Sequence, residues 1–232
     1  MVGLLYDIHG NLPALDAVLA DAPPVERWIL GGDYALFGAW PADTLARLRD
    51  LVGARWLRGN GERWTANSAD APEQVRGAVA AARAALGDDE VAVLDALPTE
   101  LELPARGGIG AVLACHGSPV SDVRSFFPTP APDEDELLAG VGAGRLIFGH
   151  THLPFQRTSS GGVKLVNPGS VGMPFDGDPR AAFAVIHDDG TVEHRRVDYD
   201  HLASAEAVRA RFGPAQWTET VARRIELSRI DV

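Results

Sequence analysis

The stretch Arg145-Leu146-Ile147-Phe148-Gly149-His150-Thr151-His152 is a strand-length run closed by a glycine and two histidines one residue apart. If the strand continued past Gly149, both rings would lie on one face of it. If it ends there, both project from its carboxyl end into whatever crevice adjoins it. Neutral imidazole offers a lone pair at working pH, which makes histidine the commonest metal ligand. One His-x-His pair is a weak sign, because most such pairs are accidents of surface or core. The rest of the chain has to supply the partners.

Upstream, the same pattern recurs. Val2 to Tyr6 reads as a short buried strand ending in Asp7-Ile8-His9-Gly10-Asn11. A helix follows, with Asn11 as N-cap, Pro13 in the first turn, and Leu15, Val18, Leu19 and Ala22 as its apolar stripe. Trp28 to Leu30 is a second strand ending in Gly31-Gly32-Asp33. After an amphipathic helix over 41–51, Ala54 to Leu57 is a third, ending in Arg58-Gly59-Asn60-Gly61. Ile109 to Cys115 ends at His116. Strands alternating with helices predict an α/β architecture with partly parallel pairing. In such sheets ligands bind beyond the carboxyl ends of the strands. Asp7, His9, Asp33, Asn60, His116, His150 and His152 would then converge. Singly, each has an ordinary reading: a helix cap for Asp7 or Asp33, a left-handed turn for Asn60, a satisfied core histidine for His116. At five strand ends in register, the ordinary reading loses.

The remaining stretches fit one domain over 1–232. Ala71 to Leu86 and Asp88 to Leu97 read as helices, and no strand interrupts 62–100, which is expected as a small helical insert over one edge of the site. Leu101 to Leu103 returns to strand pattern. Residues 118–133 form a proline-rich loop, Glu134 to Ala139 a short helix, and Val163 to Val166 a strand ending in Asn167-Pro168-Gly169-Ser170. Ala181 to Ile186 and Thr191 to Val197 read as a hairpin across Asp188-Asp189-Gly190. The tail from Leu202 to Ile230 is helical with a break at Gly213-Pro214.

Composition narrows the function. A net charge of -11 and the lack of any Lys/Arg run argue against an electrostatic grip on nucleic acid. The single cysteine, Cys115, excludes an intrachain disulfide and suits a reducing compartment. It sits inside a strand and reads as a buried small hydrophobe. No apolar run approaches a membrane span, and Asp7 arrives too early for a signal peptide, so a cytoplasmic protein is expected. His187, His194 and His201 fall in the hairpin and its exit, and are expected to be exposed.

Two carboxylates, one amide oxygen and four imidazoles suffice for two divalent cations sharing one carboxylate. Mixed N/O ligands without thiolate favour Mn, Fe, Zn, Ni or Co over Ca or Mg. Such a pair can clamp a phosphoryl oxygen and lower the pKa of a bridging water, so that hydroxide is available near neutrality.

Asp7-x-His9, Gly32-Asp33, Gly59-Asn60, His116 and Gly149-His150-Thr151-His152, in this order, closely resemble the calcineurin-like metallophosphoesterases. Asp7 to Asn11, Asn167 to Ser170 and Asp178-Pro179-Arg180 look like the small branch related to YfcE phosphodiesterases. The resemblance implies a four-layer αββα sandwich of two mixed sheets flanked by helices, with a dinuclear site at one edge. It implies Asp7, His9 and His152 on the first metal, Asn60, His116 and His150 on the second, and Asp33 bridging. Manganese is the leading choice of metal. Asn60 and His116 would also contact the phosphate of a small phosphate-ester substrate, with nucleotide-like diesters among the candidates.

Departures from the family pattern matter. Much of the family has histidine after Gly-Asn, thought to protonate the leaving oxygen; this chain has Gly61, then Glu62. General-acid catalysis from that position is lost, which favours diesters with good leaving groups over monoesters. Glu62 is the first substitute donor to consider. Tyr6 replaces the usual serine before Asp7, a packing change. Met173 and Phe175 lie where the small branch commonly has Gln and Arg, giving a more apolar wall. Trp64 and Phe126-Phe127 would pack in core and loop, or line an aryl- or base-binding pocket. Two other readings compete: a protein-interaction scaffold of the same fold, as in a retromer subunit, and a nuclease. The intact ligand set argues against the first, the acidity against the second.

Overall fold

The computed structural model describes residues 1–142 and 144–232. Short apolar runs bounded by glycine, proline and aspartate form β1 (Val2–Leu5), β2 (Arg27–Leu30), β3 (Arg55–Trp56), β4 (Glu100–Leu103), β5 (Val112–Cys115), β6 (Arg145–Ile147), β7 (Phe155–Thr158), β8 (Lys164–Asn167), β9 (Ala181–Ile186) and β10 (Val192–Val197). The helices are α1 (Leu12–Asp21), α2 (Pro41–Arg49), α3 (Asn60–Ala66), α4 (Arg76–Leu86), α5 (Asp88–Asp95), α6 (Glu134–Leu137), α7 (His201–Phe212) and α8 (Gln216–Leu227). Two five-stranded mixed sheets result, ordered β10-β9-β1-β2-β3 and β4-β5-β6-β8-β7. In the first, β1, β2 and β3 run parallel and the β9–β10 hairpin is antiparallel. In the second, β5, β6 and β8 run parallel and the edge strands β4 and β7 are antiparallel.

Alternation along each strand builds the layers. Leu4, Tyr6 and Ile29 of one sheet meet Val112, Ala114, Ile147 and Val166 of the other in the central core. The opposite face of the first sheet, with Leu5, Leu30, Phe183 and Val185, packs under Leu15 and Val18 of α1 and Leu45 and Leu48 of α2. Cys115, Leu146, Phe148 and Leu165 face outward from the second sheet against Phe126 and Leu137, so α6 and the proline-rich loop cover that side. Cys115 is buried as expected. Tyr6 lies wholly inside, its hydroxyl donating to the Ile147 carbonyl across the sheets. That is a packing role.

The helical stretch opens with a helix that the sequence did not announce, α3, and its last helix ends at Asp95 rather than Leu97. The helix expected from Ala71 begins at Arg76, because Pro72 breaks the approach into two 3₁₀ turns, Ser68–Asp70 and Glu73–Val75. Phe155–Thr158 carries no strand pattern in the sequence, yet as β7 it pairs with β8. Of the hairpin histidines, His194 is not exposed: its ring is partly buried and bonds the Asn167 carbonyl at 2.8 Å. Nor are His187 and His201, which are partly covered. Parallel pairing brings the carboxyl ends of β1, β2, β3, β5, β6 and β8 to one edge of the sandwich.

Candidate metal centre

All seven candidate residues meet at that edge. Asp7 and His9 follow β1, Asp33 follows β2, Asn60 opens α3 after β3, His116 follows β5, and His150 and His152 follow β6. Six are buried, and His150 is half-buried. The backbone is bent to collect them. Of seven non-glycine residues with positive φ among the described residues, five are Asp7, His9, Asp33, His150 and His152. Such conformations are uncommon outside glycine, although aspartate and histidine adopt them more readily than most residues, and they cluster at functional sites.

Each imidazole is aimed by the nitrogen turned away from the site. His9 Nδ1 meets the Leu36 carbonyl at 3.1 Å, His116 Nδ1 that of Gly31 at 2.8 Å, and His152 Nδ1 that of Met173 at 2.6 Å. With Nδ1–H donating to a carbonyl, each Nε2 presents its lone pair inward. Three such lone pairs surround Asp7 Oδ1, at 3.4 Å from His152 and 3.9 Å from both His9 and His116. The Nε2 atoms of His9 and His152 stand only 3.1 Å apart. Asp7 Oδ2 accepts from His150 N–H, whereas the buried Oδ1 has no hydrogen-bond partner among the described residues. An orphaned carboxylate oxygen facing converging lone pairs is a poor arrangement for a protein alone, and a suitable one around a cation.

Asp33 stands between two clusters. Its Oδ2 is 3.8 Å from His9 Nε2, and its Oδ1 is 3.5 Å from His116 Nε2. Two groups of atoms close enough to share an ion follow: Asp7, His9 and His152, and Asp7, Asp33 and His116. The Asn60 amide adds a further atom, 2.9 Å from His116 Nε2 and 2.8 Å from His150 Nδ1. Turned one way its oxygen faces both rings and its N–H reaches Asp33; turned the other, its N–H donates to both rings. Bonding within the protein favours the second orientation, coordination the first.

Burial and charge divide the titrating groups. For Asp7, burial pushes upward, but the imidazoles of His152, His116 and His9 outweigh it and hold the carboxyl well below its ordinary range. Burial raises Asp33 to about 7 against the pull of His116, with repulsion from Glu62 and Asp7 adding to the rise. Burial, reinforced by neighbouring rings, lowers His9 to about 3 and His150 to about 4. His116 is lowered by burial but raised overall by Asp33 and Asp7. Neutral His9 and His150 beside an ionised Asp7 are ligands in the correct protonation state.

Glu62 does a job different from the one its sequence position suggested. Its buried carboxylate accepts from Asp33 N–H and Gly59 N–H at 2.8 Å each and from Tyr34 N–H at 2.9 Å. It fixes the Asp33 turn against the start of α3 and is committed to that. The spacing from Gly59, three residues, is half of a capping box, a signal available in the sequence. Asn167 and Ser170 similarly buckle the site: Asn167 Nδ2 donates to Thr151 Oγ1 at 2.9 Å, and Ser170 Oγ donates to the Asp7 carbonyl at 2.7 Å. Asn11 caps α1 and also donates to the Gly172 carbonyl at 2.8 Å. Gly149 has to be glycine, since a Cβ there would lie 2.5 Å from Asp7 Oδ2.

The comparisons agree with this geometry. Residues 1–190 match the calcineurin-like phosphoesterase superfamily domain, and the chain belongs to that superfamily. It is 28% identical over 231 residues to the uncharacterized protein MJ0912 of Methanocaldococcus jannaschii, covering 90% of this chain and 91% of that one. A metallophosphoesterase from Sphaerobacter thermophilus superposes with a TM-score of 0.81 at 25% identity, over 98% of both chains. The hypothetical protein PH1004 from Pyrococcus horikoshii OT3 does so with a TM-score of 0.81 at 19% identity, over 95% of this chain and 98% of that one. The superfamily expected from the order of motifs is the one matched. Its members bind divalent metals, and this chain carries candidate ligand groups for them.

Proposed function

We propose that the protein is a dinuclear metal-dependent phosphodiesterase acting on a small diester with an aryl or nucleotide-like leaving group. The observation that carries the metal reading is the unpartnered Asp7 Oδ1 amid three inward-facing Nε2 atoms. The residues fit two cations: Asp7, His9 and His152 would hold the first, Asn60, His116 and His150 the second, with Asp33 between them. The N/O donor set suits manganese, with Fe, Zn, Ni or Co as alternatives. Two such ions supply Lewis acidity toward a phosphoryl oxygen and a nucleophile at neutral pH.

The chain's own groups bear on the choice of ester. Gly61 has no side chain to give a proton. Glu62 spends both oxygens on backbone N–H groups. Asp122, the next acid, is gripped by Arg63 at 2.6 and 2.8 Å, and against its partial burial that pair holds its carboxyl below the ordinary range. A diester whose leaving oxygen needs no proton suits this site. Beside His150 a cavity of about 380 Å³ is lined by Val123, Phe127, Leu153, Phe175 and Ile230. Phe175 stacks on the His152 ring at 4.3 Å, and Phe127 is 48% exposed, free to meet a planar group. Phe126, by contrast, is buried against Phe148, and Trp64 packs beside the Leu36–Val79 core.

The test is a series of methyl aryl phosphodiesters of graded leaving-group pKa, hydrolysed by the manganese-loaded protein. General-acid help is typically worth ~10² to 10⁴ in rate. Without it, the rate should fall steeply as leaving-group pKa rises. A flat series with chemistry rate-limiting would mean that a side chain supplies the proton after all.

A further inference from the structure

At the opposite edge, between the amino ends of β6 and β8 and the β9–β10 turn, lies a cavity of about 570 Å³. Arg145, Gln156, Thr158, Lys164, Asp189 and Thr191 are on its walls. Arg145 is only 6% exposed. One of its N–H groups donates to the Gly190 carbonyl, while Nε and Nη1 are buried without an acceptor among the described residues. A guanidinium carries five N–H donors and a fixed charge, so one carbonyl leaves most of it unsatisfied. Burying such a charge without a counter-charge is among the costliest arrangements a fold can hold.

A second cation stands beside it. Lys164, the chain's only lysine, is the Cα partner of Arg145 in the β6–β8 register. Partnered residues leave the sheet on the same face. Ile147 and Val166, also partners and two residues further on, belong to the core between the sheets, so that face is the inner one. Like charges side by side in register repel, and among the described residues no carboxylate pairs with either. Asp189, the acid on the wall, uses its carboxylate on the N–H and hydroxyl of Thr191. The neighbouring Arg157 is already paired with Glu134. A charge that belongs between Arg145 and Lys164 is therefore missing from the protein itself.

We propose that this cavity binds a phosphate group, free or carried on a small organic ester, with Arg145 and Lys164 as its cationic arms. The planar fork of arginine matches phosphate oxygens two at a time, and lysine adds a point charge. Thr158, on the neighbouring strand β7, offers a neutral donor. The volume falls in the range of small-molecule sites, roughly 300–1,000 Å³. The site is separate from the metal-binding edge and does not rest on the catalytic reading.

Calorimetric titration of the metal-loaded protein tests it, with inorganic phosphate and, separately, ribose 5-phosphate at fixed ionic strength. Phosphate also has affinity for a metal centre, so sites are counted. The wild type should titrate with two classes. Lys164→Gln should weaken one of them about tenfold, the loss of one charge-assisted bond, and Arg145→Gln should abolish it. Tighter binding of ribose 5-phosphate assigns the ester as ligand; equal affinity assigns the free ion. Phosphate binding that neither substitution changes, whether in one class or two, or no binding at all, would overturn the proposal. Lys164 is exposed, so its variant keeps the test decisive even where Arg145→Gln fails to fold.

Discussion

The two ends of β6 carry opposite chemistry. Past its carboxyl end, turns with positive φ gather Asp7, Asp33 and the imidazoles into one buried cluster. At its amino end, where Arg145 and Lys164 are still in regular register, two cations simply lie side by side. Neighbouring strands are spaced ~4.8 Å apart, so two long cationic side chains kept in register can frame a polyatomic ligand. At the other end, turns from five strands bring short side chains onto one cluster. The first edge thus suits a small multivalent cation and the second a larger anion.

Breaking the convergence should have the largest effect. Asp7 is common to both ligand groups, and Asp33 spans them. Asp33→Ala should lose metal at both positions, and Asp7→Ala chiefly at the position next to His9 and His152, with rate losses of roughly 10³-fold or more. His152→Ala should weaken the position next to Asp7 and His9, and His150→Ala the one next to Asn60 and His116, each with roughly 10²-fold loss. Metal titration and initial rates check these; wild-type values in both histidine variants would remove the pair from the mechanism.

Gly61 offers a subtler disturbance. Its φ is not left-handed, yet a Cβ there would lie 2.8 Å from Asp33 Oδ1, the oxygen that Gly61 N–H already holds at 2.6 Å. Placing a histidine at this position should therefore displace Asp33 before it can donate a proton. Gly61→Ala should lower metal affinity roughly 10- to 100-fold, the usual scale for disturbing a group that orients a ligand. Unchanged affinity would mean that Asp33 has room to move.

The smallest effect is the pH dependence of metal binding. Burial, first among its causes, holds the Asp33 carboxyl near 7, while His9 and His150 stay neutral down to about 3 and 4. Protons compete with cations for a raised carboxylate, so affinity should be full above about pH 7 and fall as pH drops through it. His116, also raised, adds to the same fall. The slope should approach about tenfold per pH unit for each proton displaced. Tighter binding on acidification would contradict the sign.

How much of this was visible in the sequence follows from what sequence can encode. Strand runs ending in Asp7, Asp33, Asn60, His116 and His150 needed only apolar patterning and parallel pairing, and both hold. β7 was missed because Phe155-Gln156-Arg157-Thr158 is half-exposed and polar, and its pairing with β8 lies in tertiary contact. The carbonyls of Leu36, Gly31 and Met173 that aim the histidines were invisible, since any residue supplies a carbonyl. Met173 illustrates the point: its unusual side chain drew attention, but its backbone holds His152. Glu62 was named for chemistry because its three backbone partners lie on turns up to 29 residues away.

The central claim, that this edge is a dinuclear metal site, is tested most directly by counting metal. The protein is stripped with chelator, titrated with manganese, and assayed by elemental analysis, alongside Asp33→Ala. Saturation at two ions per chain, reduced by the substitution, is the predicted result. Saturation at none, or binding indifferent to Asp33, would contradict it.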